Sequence, residues 1–236
     1  MKTSALVAGD GNRRGQKRWR TGWPVGLLAF CAFASGCQSA PPTAAHSHRH
    51  ADNVFVYPPK LSLDLRRVAV LPLAAESTGG DLPDGCAALT PVLREQLVKT
   101  KRFEVVSVDA ATVKSHTGQA NWTGAESLPP DFLEFLRREY GCDAVLFSEV
   151  TAYRAYAPLA VGWRLKLTDA RSGQIMWAAD EIFDAKQPAV AHAAERFEQP
   201  GFAWPLVGRE NWVADNSPRQ FGRFAAATLL DTLPDR

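Results

Sequence analysis

The run Arg67-Val68-Ala69-Val70-Leu71-Pro72-Leu73 is the strongest constraint this chain places on its own fold. A valine-rich, near-continuous apolar segment of this length reads as a strand buried on both faces, which requires layers of structure above and below it. The segments that follow can supply those layers. Ser77 to Gly85 is a loop rich in glycine and aspartate, and Leu89, Leu93 and Leu97 then recur at helical spacing opposite Arg94, Glu95 and Lys99. Thr90-Pro91 fits the cap and first residue of that helix; a start near Pro83 would instead place Pro91 inside it.

Further elements alternate in the same way. Lys101 to Val106 predicts a short strand, Val108 to Ser115 a brief helix, and Gly118 to Pro130 a surface loop. Asp131 to Gly141 predicts a helix that is acidic at its start, basic near its end and stopped by glycine. Cys142 to Val150 is again largely apolar. Val161, Trp163, Leu165 and Leu167 alternate with Gly162, Arg164, Lys166 and Thr168, so one face of that strand is buried. Asp169-Ala170-Arg171-Ser172-Gly173 turns the chain, and Gln174 to Phe183 returns, with a bulge expected around Ala178-Ala179-Asp180. Pro188 to Phe197 predicts a helix, Gln199 to Asn216 an irregular arm, and Ser217-Pro218 the cap of a last helix with Phe221, Phe224, Ala225, Thr228 and Leu229 on its core side. The expected fold is α/β: a mixed sheet of about five strands flanked by helices, with an irregular arm and a C-terminal helix.

The amino-terminal end addresses the chain rather than folding it. A basic region precedes the apolar run Val25 to Ala32, which is too short to span a bilayer at about 20 residues per helix. Phe33-Ala34-Ser35-Gly36-Cys37 then resembles a bacterial lipobox, although Ala34 stands where such boxes usually carry leucine. That resemblance implies cleavage before Cys37, diacylglycerol on its thiol and acylation of the new amino terminus, enough for stable membrane residence. Gln38, rather than aspartate, points to the outer membrane by the sorting rule of enteric lipoproteins. The expected organisation is a signal peptide over 1–36, a flexible tether over 37–53, an α/β domain over 54–186, and an arm and helix over 187–236 packed on it.

Charge has to be read without the leader. Residues 1–36 carry six basic groups and one acid, a net +5 against +2 for the whole chain, which leaves −3 beyond Gly36. No nucleic-acid partner follows from that balance. The tether is small, polar and proline-rich; its His46, His48 and His50 read as linker polarity, with metal binding the lesser alternative because no cysteine or carboxylate stands beside them.

Four stretches in order resemble a known group. They are Val68 to Leu73, Leu97 to Val106, Tyr140 to Leu146, and Leu167 to Trp177 with its Asp-Ala-Arg-Ser-Gly-Gln-Ile-Met-Trp. Together they are similar to the amino-terminal α/β domain of TolB, the lipoprotein LpoB and the curli channel subunit CsgG, over roughly residues 66–184. LpoB-like members imply an outer-membrane lipoprotein that activates a peptidoglycan synthase. CsgG-like members imply an oligomeric export channel, but Thr151 to Gly162 is too short for two membrane hairpins at about 9–11 residues per strand.

Catalytic motifs are absent from the sequence: there is no Gly-x-Ser-x-Gly, no Gly-x-x-x-x-Gly-Lys and no His-Glu-x-x-His. His116 and His192 stand alone. Glu149, Asp180, Glu181 and Asp184 could converge as paired carboxylates, against the plainer reading of solvated strand charge. Cys86 and Cys142 are expected as two buried, unbridged thiols. The expectation is therefore a lipid-anchored periplasmic binding module with no cofactor and no catalytic residue. Its partners are the membrane, through Cys37, and an envelope protein, with Trp204 and Trp212 as contact candidates. The alternatives are a subunit of an oligomeric export apparatus, and so a homo-oligomer, or a cell-wall hydrolase.

Overall fold

The computed structural model describes residues 51–76, 80–198 and 217–236. They form seven strands in one mixed open sheet and, among the described residues, five helices. The strands are β1 (Val54–Val56), β2 (Arg67–Val70), β3 (Ala74–Ala75), β4 (Glu104–Ser107), β5 (Ala144–Arg154), β6 (Ala160–Asp169) and β7 (Ile175–Asp184). The helices are α1 (Leu82–Lys99), α2 (Ala110–Thr117), α3 (Phe132–Tyr140), α4 (Pro188–Glu198) and α5 (Pro218–Leu230). The sheet order is β1-β7-β6-β5-β2-β4, with β3 also on β5.

The parallel half is built by β2, β4 and β5. The connection from β2 to β4 carries α1 on one face, and the connection from β4 back to β5 carries α2 and α3 on the other. Crossovers of one hand that reverse direction must place their helices in this way. Strand β2 is consequently buried on both sides. Val68 packs with Leu89, Leu93 and Leu97 of α1, while Ala69 packs with Val113, Phe132 and Leu136 of α2 and α3. The first core continues across β6 and β7 through Trp163, Leu165, Leu167, Trp177 and Phe183 and is closed by Phe221, Phe224, Ala225 and Leu229 of α5. Ala51 already belongs to this core, so ordered packing begins before β1.

In the parallel half one expectation needs correcting and one alternative is decided. The strand in the run Arg67 to Leu73 stops at Val70, and β3 begins only at Ala74 beyond the run, because Pro72 has no N–H to offer the ladder. Leu71 N–H still donates to Leu146 O at 3.1 Å, and pairing on β5 resumes at Ala74 opposite Glu149. This split, with β1, raises the count from about five to seven. Of the two starts the sequence leaves open for the first helix, the one near Pro83 is found and the one at Thr90-Pro91 is not. The helix starts at Leu82 with Pro83 in its first turn and runs through Pro91. The early turns are held by packing, for Gly85 lies so close to Tyr153 that a Cβ there would meet the ring at 2.6 Å.

Local chemistry sets the remaining ends as the sequence suggests. Asp109 caps α2 by accepting from the N–H groups of Ala111 and Thr112, and Gly118 ends it at φ +81°. Gly141 ends α3, and Ser217 with Gln220 forms a capping box on α5. In the β6–β7 turn the Asp169 carboxylate accepts from Arg171 N–H, Ser172 N–H and the Ser172 hydroxyl. Burial alone would raise the pKa of this group. The hydrogen bonds from Ser172 and Arg171 outweigh burial and hold it below the usual range. The bulge falls elsewhere than expected. Register shifts lie between Leu167 and Thr168 and between Val150 and Ala152, whereas Ala178 to Asp180 is regular.

Candidate functional site

Helices α2 and α3 pack on the second face of the sheet against β2 and β5; over β6 the Gly124 loop reaches Lys166, and beyond it β7 leaves Ile182 open. Side chains alternate along a strand, so Gly162, Arg164 and Lys166 of β6 and Ala178, Asp180, Ile182 and Asp184 of β7 point to this face; the register shift beyond Leu167 turns Met176 into the first core. The register then assembles them in rows. Glu149 of β5, Arg164 of β6 and Asp180 of β7 are direct cross-strand neighbours. Arg164 Nε donates to Asp180 Oδ2 at 2.7 Å, and its Nη1 reaches Glu149 Oε2 at 3.2 Å and Glu76 Oε1 at 3.3 Å.

One guanidinium thus holds three carboxylates, and they differ sharply in environment. The Glu149 side chain is 4% exposed, whereas those of Asp180 and Glu76 are 33% and 48% exposed. Burial pushes the Glu149 carboxyl up despite the opposing charge and hydrogen bond of Arg164. Arg164 is held firmly protonated, chiefly by its hydrogen bond to Asp180.

Two rows further along the strands, across Ala160, is a second pair. Arg154 Nη2 donates to Asp184 Oδ1 at 2.6 Å, and its Nε donates to Pro158 O. Between the two rows stands Ile182, 49% exposed and opposite Gly162. Glycine is required there because the bulge at Thr151 crowds the face. A Cβ would come within 2.4 Å of Thr151 Oγ1 and 2.8 Å of the Ala152 nitrogen, and the second is backbone that cannot swing aside. Gly162→Ala should therefore cost about 1–3 kcal/mol, measured by urea unfolding. Gly124→Ala, whose nearest atom is the flexible Lys166 Cε at 3.2 Å, should cost clearly less. On the other side of the Arg164 row, Lys166 lies 4.9 Å from the Phe147 ring centre and donates to Gly124 O. Burial lowers its pKa.

These positions decide the carboxylate question. Glu149 and Asp180 do come together, but with Arg164 between them; Asp184 belongs to the Arg154 pair. Glu181 points to the opposite face, where it accepts from Asp52 N–H at 3.2 Å. The four therefore do not form one proton-sharing pair. Arg164 was legible only as the polar phase of an alternating strand; placing Asp180 beside it needs the hairpin register, and Glu149 a third strand. His116 stacks on Phe135 at 3.9 Å between ring centres, with Nε2 3.3 Å from Asp131 Oδ2, and His192 Nδ1 lies 3.9 Å from Glu195. Neither faces the Arg164 row.

Cys86 and Cys142 are both free, Cys142 buried and Cys86 only half-buried, and they pack against different cores. Burial, with the charge of Glu149, pushes the Cys86 thiol up to about 11; burial likewise raises that of Cys142. A raised thiol pKa means less thiolate at neutral pH, by roughly 100-fold for Cys86. Alkylation of the folded protein should be slow and should accelerate with pH well beyond the range of an ordinary thiol. After denaturation without reductant, both peptides should carry label by mass spectrometry. Cys37, His46, His48, His50, Trp204 and Trp212 lie outside the described residues. Among the described residues there is no group of three or more His, Cys, Asp or Glu placed to hold a metal ion, and no helix is long and apolar enough to cross a membrane.

Fold and site together define an α/β domain whose exposed sheet face is organised by arginine–carboxylate pairs. No protein-family model and no curated protein matches the chain. Among solved structures it is similar to the PelC dodecamer from Paraburkholderia phytofirmans, at 16% identity over 78% of this chain and 96% of that one, with a TM-score of 0.47. It is also similar to the lipoprotein GNA1162 from Neisseria meningitidis, at 19% identity over 56% and 95%, TM-score 0.39. The LpoB C-terminal domain from Escherichia coli matches at 20% identity over 50% and 82%, TM-score 0.34. The likeness to LpoB read from the sequence thus recurs among the solved structures.

Proposed function

We propose that this chain is a lipid-anchored cell-envelope protein of the periplasm that works by binding another envelope protein, without catalysis. The observation that carries this reading is the part of the second sheet face that β7 leaves open. Exposed Ile182 stands there between the Arg154–Asp184 and Arg164–Asp180 pairs, an apolar contact with a polar rim. The chemistry of the same face argues against turnover. Glu149 is the carboxylate whose pKa burial raises, yet it is shut away from solvent and engaged by Arg164, so no base is presented to a substrate. The leader and Cys37 support the anchor, which with its tether would raise local concentration beside the membrane. Gln38 favours the outer membrane as the site of that anchor.

A photo-crosslinking residue at Ile182, in cells, tests the reading directly. Adducts to one envelope protein are expected from Ile182 but not from Arg94 on the far side of α1, and Cys37→Ala should abolish them. No adduct from Ile182, or the same adducts from Arg94, would sink it. Hydrolysis of cell-wall fragments that disappears in Glu149→Gln would replace it with an enzyme.

A further inference from the structure

The two edges of the sheet are treated differently. Strand β4 ends the parallel half with the exposed Glu104, which is ion-paired to Arg67 at 2.9 Å, and with Lys101 and Arg102 just before it. Charge of this kind keeps an edge from pairing with another chain. Strand β1 carries none: Asn53-Val54-Phe55-Val56-Tyr57 is uncharged and high in β propensity. Three consecutive large side chains here are exposed, Phe55 at 51%, Val56 at 40% and Tyr57 at 53%.

The hydrogen-bond phase of β1 shows what this edge offers. Tyr57 N–H donates to Met176 O at 2.8 Å and Asp180 N–H donates to Asn53 O at 3.0 Å, in the register that sets Phe55 opposite Ala178. Asn53, Phe55 and Tyr57 therefore turn their polar groups to β7. Val54 and Val56 turn theirs outward, where no described residue meets them. Two outward residues flanking one inward residue make a self-complementary edge. Laid antiparallel on a second β1, Val54 of each chain faces Val56 of the other and exchanges both bonds. The symmetry axis then passes beside Phe55, which meets its own copy at the non-hydrogen-bonded position, where side chains approach closest. No like charges oppose each other within Asn53–Tyr57.

We propose that β1 is a self-association strand that joins two copies of this chain into one continuous sheet about a two-fold axis at Phe55. Such an interface is isologous, each chain giving and receiving the same contacts. It does not depend on the open face around Ile182 or on any envelope partner.

The full-length protein, extracted in detergent, is expected to sediment as a dimer whose population falls on dilution. Phe55→Lys and Phe55→Glu should each give monomer, because like charges then meet across the axis; an equimolar mixture of the two should restore the dimer. Val56→Pro removes an outward N–H and spares every bond to β7, so it should also give monomer, with the unfolding transition of wild type diluted to its monomer. In cells, Phe55→Cys should form a disulfide-linked dimer, the Cα separation at a non-hydrogen-bonded position being about 4.5 Å, within reach of a disulfide. Arg94→Cys should not. A dimer that survives both charge variants would overturn the proposal. So would a wild type that is monomeric with Phe55→Cys unlinked, or Phe55→Cys linked only to a different protein.

Discussion

Arg164→Met is expected to destabilise the fold by about 3 kcal/mol at neutral pH, read as a lower urea midpoint. The figure is the lower end of what breaking a buried ion pair costs, because the guanidinium is itself partly exposed. What remains after the substitution is Glu149, 4% exposed, with its countercharge gone. The loss should shrink on acidification. Burial already raises the Glu149 carboxyl in the intact protein, so folding takes up a proton there and stability from this group increases as pH falls from neutral through its raised value. Without Arg164 the same dependence becomes steeper. Glu149→Gln combined with Arg164→Met should recover most of the loss at neutral pH. Asp180→Asn or Glu76→Gln alone should each cost less than about 1 kcal/mol, since those partners remain solvated. Equal losses for Arg164→Met at neutral and acid pH would show that the buried charge is not the cause.

The same cluster shows where sequence reading stops. Local signals with their own chemistry were legible: Asp169 to Gly173 as a turn, Gly141 and Ser217-Pro218 as helix ends, and Val68-Ala69 as a strand with two buried faces. Each is decided within a few residues. Three features decided by distant neighbours were not. Pro91 fits a first helical residue as well as an interior one, and the choice is made by Tyr153 against Gly85 and by the Cys86 thiol donating to Ala74 O at 3.3 Å. Strand β5 runs to Arg154 rather than Val150, because β6 continues to pair beyond the bulge at Thr151. Ala178 and Ala179 suggested a bulge because two small apolar residues hide which face is buried. In the fold Ala179 enters the first core and Ala178 takes the open face, in regular alternation. The Arg164 row belongs with these, as its residues come from three strands.

Trp177→Ala should cost about 3–5 kcal/mol, the range for emptying a large aromatic site in a core. At roughly 2–4 °C per kcal/mol for a domain of this size, the melting temperature should fall by about 10 °C. This residue ends the turn-and-return stretch, and its place is in the first core. Trp177 is fully buried on β7, and its Nε1 donates to Thr232 Oγ1 at 3.0 Å, just past α5. The Thr232 hydroxyl donates in turn to Leu229 O at 2.6 Å, so the indole ties the hairpin to the C-terminal helix. Trp163, equally buried on β6, supplies the control, because its Nε1 meets no hydrogen-bond partner among the described residues. Trp177→Phe loses volume and a hydrogen bond; Trp163→Phe loses volume alone and sheds an unpaired buried donor. The first should therefore cost about 1–2 kcal/mol more than the second. Thr232→Val, which orphans the Trp177 N–H while preserving the shape of the side chain, should reproduce most of that difference. Equal costs for the two phenylalanine variants would mean that packing alone holds α5 to the sheet.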